Sequence, residues 1–226
     1  MYKKNFCVVI PIFNEALHIC SVINKLQKQD IYVIVINDGS TDNTNELLSK
    51  YKKNFWLITH KTNKGKGEAI KAGFNVAIKK NFDYIITLDG DGQHDSYEIP
   101  FFIEKILNSN NDLIIGNRMF NTNNMPITRI FANKIASIIV SKISKQYIPD
   151  ALNGYRLIKR TVLENINLKN KRFDIVPEIL IKASKKGFKI GYVNVKTIYG
   201  NEISHIQPLR DGFMFFKYIF SCLQRD

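Results

Sequence analysis

The sequence predicts a single-domain α/β fold with a mostly parallel sheet flanked by helices. Short, nearly continuous apolar segments recur along the first half of the chain, which is typical of strands covered on both faces. Each is followed by a segment whose apolar residues have helical spacing. Strands and helices that alternate at such short intervals favour parallel pairing through right-handed crossovers. With 226 residues, the chain is long enough for one such domain with a full hydrophobic core.

Seven strands and seven helices are predicted from these patterns. The predicted strands are 6–12, 32–36, 55–59, 84–88, 113–116, a segment that begins near Arg156, and 189–195. Pro11 is expected to end the first strand. The predicted helices are 16–29, a helix that follows capping residues 41–43 and runs to about 52, 68–80, 100–108, 127–143, 175–186 and 208–223.

Two helices carry apolar faces that allow more than one interpretation. Helix 127–143 is expected to pack its apolar residues on the core, or to touch a membrane or lipid phosphate with its basic side. Those apolar residues are Ile130, Phe131, Ile135, Ile138, Ile139 and Ile143, and the basic residues are Arg129, Lys134 and Lys142. The aromatic stripe of helix 208–223 packs on the core or rests on a bilayer surface. The stripe consists of Phe213, Phe215, Phe216, Tyr218 and Phe220.

Three polar or glycine-rich segments follow predicted strand ends. They are 11–15, 38–40 and 89–93. In sheets of this kind, ligands bind outside the carboxyl ends of the strands. We therefore expect the three segments to converge on one crevice.

The acidic segment that follows the fourth strand predicts a metal site. Asp89, Asp91 and Gln93 supply the hard oxygen ligands that Mg²⁺ and Mn²⁺ prefer. Gly90 and Gly92 give the backbone the freedom to turn sharply and to let a ligand approach.

Of two other interpretations of this segment, one stays open and one does not fit the sequence. An ordinary turn stays open, because Asp-Gly pairs are common turn formers. A calcium loop of the EF-hand kind does not fit, because its sixth position is His94 rather than Gly and its twelfth is Pro100 rather than Glu.

Composition and charge narrow the class of protein. The net charge of +13 admits nucleic acid, an anionic membrane or phosphorylated ligands. No nucleic-acid-binding motif accompanies the charge, so we expect no nucleic acid partner. Three separate cysteines suggest neither a disulfide framework nor a zinc site, which fits a cytoplasmic protein. No signal peptide is recognised, and the apolar stretch 212–223 is too short to span a bilayer.

Four motifs in order along the chain resemble the family 2 glycosyltransferases. They are Pro-Ile-Phe-Asn-Glu at 11–15, Asn-Asp-Gly-Ser-Thr-Asp at 37–42, Asn-Lys-Gly-Lys-Gly at 63–67 and Asp-Gly-Asp-Gly-Gln-His at 89–94. Within that family, the chain is similar to dolichyl-phosphate mannose synthases and related polyprenyl-phosphate glycosyltransferases. The resemblance is strong over 6–118 and weaker beyond. It implies a GT-A fold with a Rossmann-like sheet, and inverting transfer of a sugar from a UDP- or GDP-sugar.

The resemblance also implies roles for individual residues on the donor side. Pro11 and Glu15 would line the nucleotide, and Asp38 would bind the edge of the base. The loop of Gly65, Lys66 and Gly67 would lie near the ribose and phosphates. In the acidic loop, Asp89 with Gly90 would face the ribose and the metal, Mg²⁺ or Mn²⁺, which Asp91 with Gln93 would coordinate.

On the acceptor side, the resemblance suggests that Arg156 binds the acceptor phosphate. A structural salt bridge is the alternative for this arginine. A lipid phosphate is already anionic and needs no strong base, whereas a hydroxyl acceptor would require a carboxylate base. Glu178 is the first candidate for such a base and Asp174 the second, although both positions also suit a helix surface.

Some features depart from the family. Its late Arg-x-x-Gly-x-Ser-Lys segment corresponds here to 199–205, where Tyr199, Glu202 and His205 replace the usual residues and Ser204 is kept. These changes leave open which sugar is transferred and how the diphosphate is bound. The Gln-x-x-Arg-Trp motif of processive synthases is absent, which argues against polymer extension.

The sequence thus predicts a metal-dependent transferase at the cytoplasmic membrane surface that acts on a polyprenyl phosphate. The alternative acceptor is a glycan or another hydroxyl in surface polysaccharide assembly. A catalytically silent sugar-nucleotide sensor stays open. A nicotinamide-dependent oxidoreductase would need a Gly-x-Gly-x-x-Gly motif after the first strand, which this chain lacks. Within the single domain, we expect a nucleotide-sugar part (1–118), an acceptor part (119–211) and a C-terminal amphipathic helix (212–226).

Overall fold

A computed structural model describes residues 5–123, 125–198 and 208–223, without the side chains of Pro208, Leu209, Asp211 and Leu223. The segment 199–205, with its departures from the family pattern, lies outside the described residues. Within these ranges, the strands form one seven-stranded sheet. The strands are β1 (Phe6–Ile12), β2 (Tyr32–Asn37), β3 (Phe55–Thr59), β4 (Tyr84–Thr87), β5 (Leu113–Asn117), β6 (Arg156–Lys159) and β7 (Ile190–Asn194).

The helices lie on both faces of this sheet. They are α1 (Ile19–Lys28), α2 (Thr44–Leu48), α3 (Lys66–Lys79), α4 (Ile99–Leu107), α5 (Ile127–Ser144), α6 (Arg160–Asn165), α7 (Ile175–Lys185) and α8 (Pro208–Leu223). One turn of 3-10 helix, Ser96–Glu98, precedes α4.

The sheet is mostly parallel, as the sequence predicts. The strand order is β3-β2-β1-β4-β6-β5-β7. Parallel pairs join β1 to β2 and β4, β2 to β3, and β5 to β7. The exception is β6, which runs antiparallel to both of its neighbours, β4 and β5. The second half of the chain therefore contributes a strand to the middle of the sheet.

Two hydrophobic clusters form the core, one on each face of the sheet. Alternate residues of β1 show the division, because Val8 belongs to one cluster and Val9 to the other. Helices α1, α2 and α4 supply the first cluster, and α3, α5, α6, α7 and α8 supply the second. Both faces are therefore covered, as parallel sheets require.

The predicted elements are confirmed with shifts at their ends, and the predicted bounds of three elements need correction. Strand β1 continues through Pro11 to Ile12, because Pro11 still lies in register with Ile36 of β2. Helix α1 begins at 19 rather than 16, since Asn14 has a φ of 56° and the Glu15 N–H is bound outside the helix. Helix α2 ends at 48 rather than 52, because the chain turns there to enter β3.

The largest correction concerns α5. The prediction that its larger apolar residues pack on the core is wrong for Phe131, Ile135 and Ile138, which are exposed. The buried side instead carries mainly small or polar residues. They are Asn133, Ala136, Ser137, Val140 and Ser144.

Candidate active site

The loops at the carboxyl ends of β1, β2 and β4 meet, as expected from the parallel order. The Asn14 N–H donates to Ser40 Oγ (2.9 Å), which ties the loop after β1 to the loop after β2. Gly90 packs on the end of β1, where a Cβ on this residue would lie 2.4 Å from Ile12 Cγ2. The predicted convergence of these loops at one edge of the sheet is therefore confirmed.

Asp38 fastens the loop that precedes α3. Its carboxylate is buried and accepts hydrogen bonds from the backbone N–H groups of Lys64 (3.0 Å) and Gly65 (2.7 Å). His60 Nδ1 lies 2.7 Å from Asp38 Oδ1. These partners explain why an aspartate is needed at the end of β2, while its contact with the base stays a prediction.

The glycines of the 65–67 loop allow a close approach to the segment before α7. Gly65 has a φ of 99°, which favours glycine. A Cβ on Gly67 would lie 2.6 Å from the Asn170 carbonyl oxygen, and the Gly67 N–H donates to the Lys171 carbonyl (2.8 Å). The loop therefore rests on protein on this side. Its contact with ribose and phosphates stays a prediction.

Lys66 brings positive charge to the acidic loop. Its Nζ lies 2.6 Å from Asp89 Oδ1 and 5.0 Å from the centroid of the Phe173 ring. Burial would raise the pKa of Asp89, but the charge of Lys66 and the hydrogen bond with His94 outweigh burial and hold that pKa well below its usual range. Gly154 leaves room for this carboxylate, since a Cβ there would lie 2.8 Å from Asp89 Oδ2.

The other carboxylates of the crevice repel one another. Burial, followed by the charge of Asp89, raises the pKa of Asp91, whose Oδ1 accepts the Gln93 N–H (3.0 Å). Burial and the charges of Asp91 and Asp89 raise the pKa of Glu15 to about 8. Without a cation beside them, Glu15 and Asp91 therefore hold their protons more tightly than ordinary carboxyl groups do.

This donor set fits a divalent cation that a ligand helps to bind. Among the described residues, no group of three or more His, Cys, Asp or Glu side chains is arranged to hold a metal. Mg²⁺ sites commonly use one or two carboxylates together with substrate phosphates, rather than an all-protein cage. Asp89 and Asp91 supply two carboxylates, and a cation would relieve their repulsion. The metal-ligand roles of Asp89, Asp91 and Gln93 stay predictions.

His94, the last residue of the acidic motif, also contacts this loop, although the resemblance implies no role for it. Its buried ring lies against Tyr155, with centroids 5.1 Å apart, and its Nε2 is 3.5 Å from Asp89 Oδ2. An imidazole here supports the position of the Asp89 carboxylate. Its place three residues beyond the last aspartate was the available signal.

The guanidinium of Arg156 does not lie where an acceptor phosphate could bind it. It is 1% exposed and donates to the backbone carbonyls of Asn153 (2.8 Å), Val176 (2.5 Å) and Ala151 (2.9 Å). Burial lowers its pKa to about 9, although Asp150 and Asp89 act in the opposite direction. This geometry corrects the expected role, because Arg156 joins β6 to the neighbouring loops.

Glu178 is likewise committed to structure. It is fully buried in the first turn of α7, and its oxygens accept the N–H groups of Lys169 (2.8 Å) and Asn170 (2.9 Å). Lys182 forms an ion pair with the same carboxylate. A carboxylate bound on both oxygens is poorly placed to take a proton from an acceptor, which corrects the expectation of a base. Asp174 also accepts a backbone bond, from Arg172 N–H (3.2 Å).

A second ion pair at the carboxyl edge was missed by sequence reasoning. Arg118, directly after β5, donates through Nε (2.8 Å) and a terminal nitrogen (3.0 Å) to the two oxygens of Asp150. Asp150 is buried, whereas the Arg118 side chain is 16% exposed. The pair joins β5 to the loop before β6. Residues 32 positions apart in sequence gave no signal for this contact.

The parallel sheet and the acidic loop at its carboxyl edge are the arrangement of a glycosyltransferase with the GT-A fold. Residues 7–167 match the model of the family described as Glycosyl transferase family 2. The chain belongs to this family, and the resemblance that the motifs suggested is confirmed.

Relatives with related names support the assignment. The chain is 32% identical over 220 residues to UDP-N-acetylglucosamine–dolichyl-phosphate N-acetylglucosaminyltransferase from Methanococcus voltae, covering 88% of each chain. It is 27% identical over 195 residues to polyprenol monophosphomannose synthase from Mycolicibacterium smegmatis, covering 81% of this chain and 73% of the relative.

A solved structure supports the fold. Glucosyl-3-phosphoglycerate synthase from Mycobacterium tuberculosis, in complex with Mn²⁺, UDP and phosphoglyceric acid, superposes with a TM-score of 0.73. It is 20% identical, and the match covers 96% of this chain and 76% of that one. At this identity the likeness concerns the fold. Within the described residues, every helix is too short or too polar to cross a bilayer.

Proposed function

We propose that this glycosyltransferase moves a sugar, with inversion, from a nucleotide diphosphate sugar to a polyprenyl phosphate. The observation that carries the proposal is the crowding of Glu15, Asp89 and Asp91 beside Lys66 at the carboxyl edge of the sheet. An acidic cluster of this kind suits a metal-bound diphosphate. The names of the related proteins support a polyprenyl phosphate as the acceptor.

Departure of the nucleoside diphosphate builds negative charge on its phosphate oxygens. A divalent ion held by Asp89 and Asp91, with Gln93 as a third candidate, would neutralise this charge. Lys66 offers a second positive charge within 2.6 Å of Asp89. His94 lies beside the Asp89 carboxylate, and Gly154 leaves room for it.

The acceptor oxygen attacks the anomeric carbon of the donor sugar from the face opposite the nucleoside diphosphate, whose bond to that carbon breaks through an oxocarbenium-like state. A phosphate oxygen is already anionic, so it needs no strong base. The engagement of Glu178 and Asp174 with backbone N–H groups supports this acceptor over the alternative, a glycan or other hydroxyl that would need a base.

We further propose a UDP-sugar rather than a GDP-sugar as the donor. A related protein carries UDP-N-acetylglucosamine in its name, and a protein of the same fold was crystallised with UDP and Mn²⁺. The acceptor is a membrane lipid, so we place the enzyme peripherally on the cytoplasmic face. The exposed side chains Phe213, Phe216 and Phe220 of α8 support this placement.

A binding assay tests the metal-assisted step. UDP- and GDP-sugars are added with Mn²⁺, Mg²⁺ or a chelator, and the melting temperature is recorded. We expect UDP-sugars to stabilise the protein only with metal, and Asp91→Asn to remove this stabilisation. Asp30→Asn is the matched control, because Asp30 precedes β2 and lies at the opposite edge of the sheet. Metal-independent binding that survives Asp91→Asn would contradict the proposal.

Transfer is then measured directly, with labelled donor and a polyprenyl phosphate in detergent. The product should be a polyprenyl-phosphate sugar of inverted anomeric configuration. Transfer to a glycan hydroxyl, with none to the lipid phosphate, would favour the alternative acceptor.

A further inference from the structure

The outward side of α5 carries large apolar side chains beside Lys134 and Lys142, whereas a helix at a water-facing surface usually turns such apolar side chains inward. Ile127, Phe131, Ile135 and Ile138 follow one another at helical spacing and are 70%, 62%, 50% and 68% exposed. We call these four residues the α5 outer face. Monomeric proteins rarely leave a continuous apolar row of this kind in water.

The inner side of α5 explains why the helix cannot turn this face inward. Ser137 Oγ accepts the Ala151 N–H (3.0 Å), and Ser141 Oγ accepts the Ile148 N–H (2.9 Å). Rotating the helix to bury Phe131 would break these bonds and leave buried backbone groups without partners. The exposure of the outer face is thus fixed by the packing.

The charge around this face selects one kind of occupant. Helix α5 contains Arg129, Lys134 and Lys142 and no acidic residue, and Lys134 and Lys142 are exposed. The whole chain carries a net charge of +13. A second copy would bring like charges together, whereas an anionic bilayer accepts both the apolar side chains and the lysines that flank them.

The α5 outer face begins beside the carboxyl edge of the sheet. Helix α5 begins nine residues after Arg118, and Phe120 between them is 57% exposed. The loop bound by Ser137 contains Asp150, the partner of Arg118. The apolar row therefore begins beside the edge at which the loops meet.

We propose that the α5 outer face seats the enzyme on an anionic bilayer and turns the carboxyl edge of the sheet towards the lipid headgroups. The idea that this orientation delivers a polyprenyl phosphate to the crevice rests on the proposed function. The binding of the face to the bilayer does not.

Vesicle sedimentation tests the proposal with the full chain. Phe131→Ser/Ile138→Ser removes an aromatic and an aliphatic side chain from the α5 outer face. Phe101→Ser/Leu107→Ser makes the same change at exposed positions of α4, which lies on the opposite face of the sheet. We expect the wild type and the α4 variant to bind vesicles that contain phosphatidylglycerol, and the α5 variant to bind about tenfold more weakly. Equal binding by all three proteins, or no binding by the wild type, would overturn the proposal.

Two further measurements distinguish insertion of α5 into the bilayer from other causes of weaker vesicle binding. Brominated lipids should quench the fluorescence of the tryptophan introduced by Phe131→Trp, but not that of the tryptophan introduced by Phe101→Trp. The reverse result would contradict insertion at α5. Light scattering without lipid reports the oligomeric state. A wild-type dimer that the α5 variant converts to a monomer would assign the face to a second copy instead.

A short-chain, water-soluble polyprenyl phosphate distinguishes this proposal from the proposed function. The α5 variant should use this acceptor as well as the wild type does, because its crevice is intact. If neither protein transfers sugar but the vesicle results hold, the proposed function fails and the docking surface stands. Loss of transfer to the soluble acceptor in the α5 variant alone would contradict a docking role.

Discussion

At the scale of single residues, the crevice is governed by carboxylates that repel one another. Glu15 and Asp91 both have raised pKa values, whereas Lys66 and His94 keep Asp89 ionised. The sequence places these residues at one edge, but it does not show which of the carboxylates lies beside a basic side chain. That difference arises from side-chain distances, which no motif encodes.

Glu15 should make the metal-free protein less stable as the pH rises. Its pKa is about 8 in the folded chain against an ordinary 4.5, so the folded state binds the extra proton between these values. The contribution of Glu15 to the free energy of unfolding is therefore fully present below about pH 4.5, and it is lost as the pH rises through about 8. Urea unfolding in chelator at several pH values should show this fall, and Glu15→Gln should flatten part of it. An unchanged slope in the variant would contradict the raised pKa.

Glu178→Gln should reduce stability without removing the chemistry. The change weakens a buried carboxylate that holds two backbone N–H groups and Lys182, and we expect a loss of about 3 kcal/mol. Urea unfolding measures the loss, and a transfer assay well below the melting temperature measures activity. Unchanged stability with a collapse of kcat would instead identify Glu178 as the base.

Arg156 and Glu178 show where residue-level prediction fails. Both occupy positions that match the resemblance, yet their side chains bind backbone groups. Buried polar side chains must find partners, and those partners lie in loops that are distant in sequence. Only the folded chain reveals that these donors and acceptors are used.

At the scale of elements, two helix glycines should respond in opposite ways to the same substitution. A Cβ on Gly73 of α3 would lie 2.3 Å from Val9 Cγ1, whereas one on Gly212 of α8 would meet nothing within 4 Å. Gly73→Ala should therefore cost about 1–3 kcal/mol through overpacking. Gly212→Ala should gain about 0.5–1 kcal/mol from helix propensity. Chemical unfolding measures both, and equal shifts would contradict the packing of α3 on β1.

Strands were predicted better than helix faces, for a physical reason. The bounds of β3 and α8 agree with the prediction, because an apolar run and a proline mark their ends. The buried side of α5 could not be predicted, since its serines are inward only because the 148–151 loop offers them N–H groups. Periodicity locates an apolar stripe, but it does not say what the stripe faces.

At the scale of the whole molecule, the donor and acceptor parts should not fold separately. Strand β6 comes from the acceptor part, yet it lies between β4 and β5 of the donor part. A chain that ends at Arg118 would leave these two strands without the partner that joins them. We expect this fragment to lack cooperative thermal unfolding by circular dichroism and to regain it when residues 119–226 are co-expressed. Cooperative unfolding of the fragment alone would contradict this expectation.

Because β6 is synthesised after β4 and β5, the nascent chain also passes through a state that is prone to aggregation. Strands β4 and β5 leave the ribosome before the residues that will sit between them. Until then, each presents unpaired backbone groups beside apolar side chains, and such edges recruit other chains. The half-finished sheet, before β6 is available for pairing, is therefore the state in which this chain is most prone to recruit other chains.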